Sequence, residues 1–309
     1  MLFGKIKGLN KKVSKLILGN DSQRKYSKAI KLWDYWFSNG GNTFDNSMYY
    51  KEGALEVFLG NWIKSRGIEK DIVVISKAGN EQSQPEDISN FIKETLDRLK
   101  LQSLDIFILH HDNESIPPGE FIDALNQQVN TGLIKSFGAS NWKKERFSES
   151  VEWSKNNNKI PFAILNNNLS LAKMERPMWG DCVSSNDKDY LNFLSKIKQT
   201  HFSWSSQARG FFIEDSLFKK ILRRKFHTYL KNCFFSKENF ERKRRAKKLS
   251  KIYNCSVNDI ALAWVLNQNF PSFAIIGPKK INQLNFSLNS IKIKLKEDEI
   301  KWLNLKDDI

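Results

Sequence analysis

The sequence offers little sulfur chemistry. Its 309 residues include three cysteines, Cys182, Cys233 and Cys255, an odd number at wide spacing. That excludes a disulfide framework and the paired spacings of a structural metal site, and it points to reduced thiols. No bound metal is expected. No run of about 18 apolar residues occurs, so no membrane helix is expected. The stretch 1–15 is basic but has no apolar core ahead of a small-residue cleavage site. No signal peptide is therefore read there, and a cytoplasmic protein is expected. Proline and glycine are sparse, at 7 and 15 residues, and form no linker. One domain over 1–309 is expected. Repeats with a 20–50 residue period are missing. So is a G-x-G-x-x-G loop after a strand, which an open doubly wound sheet would use to hold a nucleotide phosphate.

Positive charge, in contrast, is abundant: the formal net charge is +16. A basic balance fits a nucleic-acid partner or an anionic ligand. The lysines are scattered, however, and the one dense run, 242–248, falls in a segment with helical character. A charge run of that kind reads as a solvated helix face, and no zinc-finger or RNA-binding signature accompanies it. Neither a nucleic acid nor a membrane is expected as a partner.

What organises the chain is alternation. Short β-branched or aromatic runs at 15–18, 42–44, 72–76, 104–109, 136–138, 162–165, 201–204 and 272–276 predict eight strands. Helical spacing follows at 25–38, 54–66, 86–99, 120–131, 143–156, 187–198 and 257–268. Strand–helix alternation implies parallel strands with right-handed crossovers. Eight units in a chain of this length predict an α/β (β/α)8 TIM barrel. Two long stretches without strands, 166–186 and 207–236, would then lie at the catalytic face and shape a ligand site.

In such a barrel the polar residues at the C-terminal strand ends converge on one rim. Asp45 ends strand 2, with Tyr50 five residues on; Lys77 ends strand 3 and His110 ends strand 4. Each has an ordinary structural explanation when taken singly. Together they make chemical sense. A tyrosine is a poor acid at neutral pH, and a neighbouring ammonium is expected to lower its pKa. A carboxylate holds the lysine charged, and a histidine orients a carbonyl oxygen by hydrogen bonding. An acid and an oxyanion site in one place polarise a carbonyl for hydride attack. Side chains supply no hydride, so a nicotinamide is called for.

The order and spacing of motifs resemble the aldo-keto reductase family over nearly the whole chain. The family's D-T-A-x-x-Y-G-x-G-x-S-E-x-x-L-G is matched from Asp45 through Tyr50, Gly53, Glu56 and Leu59 to Gly60. Its T-K strand end resembles Ser76-Lys77, and D-x-x-x-L-H resembles Asp105 to His110. Its G-x-S-N is similar to Gly138-Ala139-Ser140-Asn141, and its A-L-A-W-V-L helix with I-I-G to 261–266 and 275–277. The resemblance implies a catalytic tetrad of Asp45, Tyr50, Lys77 and His110, with Tyr50 as acid, and NADP(H) as cofactor. It implies that Ser140, Asn141 and Asn166 hold the nicotinamide amide, with Trp204 stacked on its ring. Ser205, Gln207 and Arg209 would line the pyrophosphate. Gly277, Lys279, Lys280 and Gln283 would meet the adenosine end, the two lysines favouring a 2′-phosphate.

Departures from the family pattern are Asn46-Ser47 for Thr-Ala, Lys51 for the glycine after the tyrosine, and Phe286-Ser287 for Glu-Asn near the adenine. Lys51 reads as a solvent-facing loop residue, and His111 and His227 as ordinary histidines. Tyr49, Trp142, Trp179, Trp204 and Phe211 suggest an apolar or sugar-stacking substrate pocket. The function implied is reduction of an aldehyde or ketone, or the reverse reaction. The alternative is a cofactor-binding barrel acting as a regulatory or partner-binding subunit, against which the intact tetrad argues.

Overall fold

The computed structural model describes residues 1–213 and 227–306. Eight parallel strands close on themselves in chain order. They are β1 (Leu16–Gly19), β2 (Thr43–Asp45), β3 (Val73–Ala78) and β4 (Leu104–Leu109), then β5 (Ile134–Ser140), β6 (Ile164–Asn166), β7 (Thr200–Ser203) and β8 (Ser272–Ile276). β8 pairs with both β7 and β1, which shuts the barrel. Helices α1 (Tyr26–Ser38), α2 (Ala54–Arg66), α3 (Asp87–Leu99), α4 (Pro118–Asn130), α5 (Lys144–Asn156) and α6 (Lys188–Ile197) follow the first six strands. Beyond β7 come α7 (His227–Phe234), α8 (Lys237–Ile252) and α9 (Val257–Leu266), and beyond β8 α10 (Ile281–Asn289) and α11 (Glu297–Leu303). The expected (β/α)8 barrel is the observed fold.

Side-chain alternation along the strands divides the core into two layers. Ile17, Val73, Ile75, Ile106, Ile108, Ile164, Phe202 and Phe273 fill the barrel interior. Their neighbours Leu16, Leu18, Phe44, Val74, Phe107, Leu109, Phe137 and Ala139 face the helix layer. The next inward position toward the C-terminal end of each strand therefore lies above the apolar filling. Those positions are Asp45 on β2, Lys77 on β3, Ser140 on β5 and Asn166 on β6, with His110 directly beyond β4.

The opposite end is closed by a feature that the periodicity does not signal. Phe3–Gly4 pairs antiparallel with Val13–Ser14, and Ile6 and Val13 join the interior cluster. Two-residue pairings are too short to leave a repeating pattern.

Several expected boundaries shift. β5 extends over Ile134–Ser140 rather than 136–138, because Ile134 pairs with Leu104 on β4 and Ser140 with Asn166 on β6. β6 starts at Ile164 because the Phe162 ring turns into a cluster with Phe137, Trp142 and Phe147. The stretch 207–236 is not all loop: it holds α7, while 214–226 and the side chain of His227 lie outside the described residues. The basic run is also less solvated than expected. Arg242 is buried against Asn239 and Glu238, Arg245 donates to the Trp302 carbonyl, and Lys243 donates to the Phe211 and Ile213 carbonyls. These cations dock α8 onto neighbouring segments. Among the described residues no helix is long and apolar enough to cross a membrane.

Candidate active site

At the C-terminal mouth, the Lys77 ammonium is bonded to the Asp45 carboxylate, and both side chains are almost wholly buried. The same ammonium lies 5.3 Å from the centre of the Tyr50 ring. The His110 ring meets Tyr50 edge-on, with 6.1 Å between centroids. Four residues from three strand ends, apart by up to 65 positions in sequence, thus share one site. Tyr50 follows a turn in which its amide bonds the Ser47 carbonyl at 3.1 Å. Lys51, Glu52 and Gly53 then continue in left-handed backbone, with φ of 51°, 55° and 82°, before α2 starts. Lys51 turns away and bonds the Arg24 carbonyl at 3.0 Å, so its charge is spent on the β1–α1 loop.

The electrostatics correct one expectation. The Tyr50 phenol is pushed well above its ordinary value, not below it. Burial of the hydroxyl is the largest cause, and the Asp45 and Asp21 carboxylates add to it, with Arg209 opposing. The Lys77 ammonium, matched by Asp45 at contact distance, does not offset these effects. Tyr50 is thereby held as the protonated acid. His110 is pushed well below its usual value by burial, then by the Lys77 and His111 charges, so its imidazole is neutral.

Ser47 is a site residue that composition and spacing did not reveal. Its hydroxyl is buried, bonds the Lys77 carbonyl at 3.0 Å, accepts the Tyr49 amide at 3.2 Å and faces His110 Nδ1 at 3.1 Å. With the hydroxyl proton on Lys77, Nδ1 carries the imidazole proton; with it turned to Nδ1, Nε2 does. The only signal was its departure from the family's alanine.

The other expected residues lie along the same rim. Ser140 donates to the Asn166 carbonyl at 2.6 Å. Asn166 donates to the Phe202 carbonyl at 2.7 Å, while its Oδ1 is buried with no hydrogen-bond partner. Asn141 is engaged within the protein: it donates to the His110 carbonyl and accepts from the Val183 amide. Trp204 stacks on Trp179 with centroids 5.3 Å apart, and the Arg209 guanidinium lies 5.5 Å from the Trp179 ring. Ser205 and Arg209 adopt left-handed backbone, and Gln207 reaches Ser287 on α10 at 3.2 Å. Gly277, Lys279, Lys280 and Gln283 are exposed at the start of α10, where Gln283 accepts the Lys279 amide. Of the aromatic set, Tyr49 and Trp179 are exposed at the mouth, and Tyr49 stacks on His110. Trp142 and Phe211 are fully buried in the core and present no surface at the mouth, which corrects the expectation for them.

The profile of the Aldo/keto reductase family matches residues 16–308. The chain belongs to this family. A Schizosaccharomyces pombe protein carrying the name of an aryl-alcohol dehydrogenase is 24% identical, over 98% of this chain and 94% of its own. A thermostable aldo-keto reductase crystallised with the inhibitor epalrestat superposes with a TM-score of 0.75 at 22% identity, covering 99% of this chain and all of its own. An aldo-keto reductase from Klebsiella pneumoniae in complex with NADPH gives 0.75 at 18% identity, covering 99% and 95%. At these identities the structural likeness carries the fold.

Proposed function

We propose that this aldo/keto reductase is a single-domain NADP(H)-dependent oxidoreductase that reduces an aldehyde or ketone, with Tyr50 as proton donor. The observation that carries the reading is the convergence of a buried Asp45–Lys77 pair, a phenol held protonated and a neutral imidazole at one mouth. The nicotinamide cofactor fits the residues present. Asn166 Oδ1 is a buried acceptor with no partner, suited to an amide N–H such as a carboxamide presents. Gly277 has open space around it, and Lys279 and Lys280 are exposed cations suited to a phosphate.

Ser140, Asn141 and Asn166 would hold the nicotinamide, with Trp204 against its ring. Ser205, Gln207 and Arg209 would serve the pyrophosphate, and Gly277, Lys279, Lys280 and Gln283 the adenosine phosphate. Bound NADPH supplies the hydride. Tyr50 gives its proton to the carbonyl oxygen, which His110 orients through Nε2 when Ser47 donates to Nδ1. Lys77, fixed by Asp45, stabilises the phenolate left behind. Tyr49, Trp179 and Trp204 present aromatic surface at the mouth, which favours a flat or aromatic carbonyl substrate. The S. pombe relative's name points the same way.

The test is Tyr50→Phe. Turnover in an NADPH-oxidation screen over aryl aldehydes, ketones and keto-sugars should fall by about 10² or more. NADPH affinity, from fluorescence titration, should stay unchanged, because the proton is needed only in the transition state. Wild-type reduction should hold through neutral pH and decline only in the alkaline range, as the raised phenol pKa requires. Undiminished turnover in the variant would remove Tyr50 from the reaction.

A further inference from the structure

We propose that Glu81, His111 and Asp181 form a binding site for a divalent transition-metal ion, zinc in the first instance, on the rim of the mouth. Each offers one ligand atom, and the three atoms lie within 4.8 Å of one another. They come from three different loops: Glu81 follows β3, His111 follows β4, and Asp181 lies between β6 and α6. This dispersal is why no ligand spacing is visible in the sequence.

The donor set selects the metal. One imidazole with two carboxylates suits zinc and its neighbours, whereas calcium and magnesium prefer oxygen alone. Zinc bonds of about 2.0–2.2 Å place ligand atoms roughly 3.3 Å apart, so modest side-chain movements bring the three into range. His111 Nδ1 and Asp181 Oδ2 are already joined by a hydrogen bond.

The charge around the site is unusual for this chain. The protein carries 50 lysines and arginines. Among the described residues, neither Glu81 nor Asp181 has a lysine or arginine in ion-pair contact; Asp181 is paired with His111 alone. The loops are held in place by other contacts. Asn113 bonds the Ser83 carbonyl at 3.1 Å, linking the loops after β3 and β4, and Val183 bonds Asn141 at 3.2 Å. The His111 ring lies 4.9 Å from that of His110. An ion here would tie three loops together beside the tetrad, with a coordination position left for water or a substrate oxygen.

The test uses the full chain freed of metal by chelation. Zinc should be taken up at one equivalent, measured by competition with a chromophoric chelator. Cobalt should give the visible absorption of a low-symmetry site, and millimolar magnesium should not compete. Glu81→Gln and Asp181→Asn should each weaken zinc uptake by about tenfold or more. Amide exchange in 79–84 and 177–184 should slow with zinc in the wild type and not in the variants. Absence of uptake, equal uptake by the variants, competition by magnesium, or uptake without slowed exchange would each overturn the site. None of these readouts depends on turnover, so an inactive but zinc-binding protein would count against the reductase reading alone.

Discussion

Tyr50 is a phenol kept from ionising by its own surroundings, and the His110 imidazole, proposed to aim the carbonyl, is kept neutral in the same way. Both effects come first from burial. A neutral imidazole has one proton, so its position matters, and Ser47 governs it. Replacing Ser47 by alanine removes the hydroxyl that fixes the ring and relays the tautomer. Loss of one such hydrogen bond is worth about 0.5–1.5 kcal/mol, or up to about tenfold. Ser47→Ala should therefore lower kcat by about that factor, leave NADPH affinity alone and shift the pH profile of kcat, with Ser47→Thr restoring part of the rate. If KM rises while kcat and its pH profile stay fixed, Ser47 is packing and nothing more. At this scale the meeting of Asp45, Tyr50, Lys77 and His110 at one mouth was legible, because ionisable residues at strand ends follow from alternation and spacing. Ser47 was not, since its role depends on a contact 63 positions away in sequence.

Among the elements, α2 and α3 press closest at Gly60. A Cβ there would stand 2.3 Å from the Leu99 carbonyl oxygen, an approach only glycine permits. This contact seats α2 against the following unit, below the turn that carries Tyr50. Gly60→Ala should destabilise the protein by about 1–3 kcal/mol despite the better helix propensity of alanine. Urea unfolding measures it, and a variant as stable as wild type would mean that the two helices can separate at no cost. The strand count and their order could be read from the chain. The terminal pairing of Phe3–Gly4 with Val13–Ser14 could not, nor could the burial of Trp142 and Phe211. Both depend on which surfaces meet after the barrel closes, and a one-dimensional pattern does not encode that.

Over the whole molecule the net charge is +16, and the mouth is proposed to take a polyanionic cofactor. Such a field raises encounter rates and is weakened by salt. NADPH should therefore bind more slowly and less tightly as ionic strength rises, with NADH less affected. Lys279→Ala or Lys280→Ala should weaken NADPH by about 1.5–3 kcal/mol each and barely change NADH. Stopped-flow binding and fluorescence titration of both cofactors decide it. Equal affinity for the two in the wild type would end the phosphate role of these lysines.

The apolar filling of the barrel has a kinetic consequence. Beneath the tetrad lie Ile17, Val73, Ile75, Ile106, Ile108 and Phe202, sealed from below by Ile6 and Val13. Hydrocarbon of this kind conducts no protons, so if Tyr50 is the proton donor proposed above, it is resupplied from the mouth alone. Solvent isotope effects on turnover would then report on the loops over that mouth as much as on the chemical step.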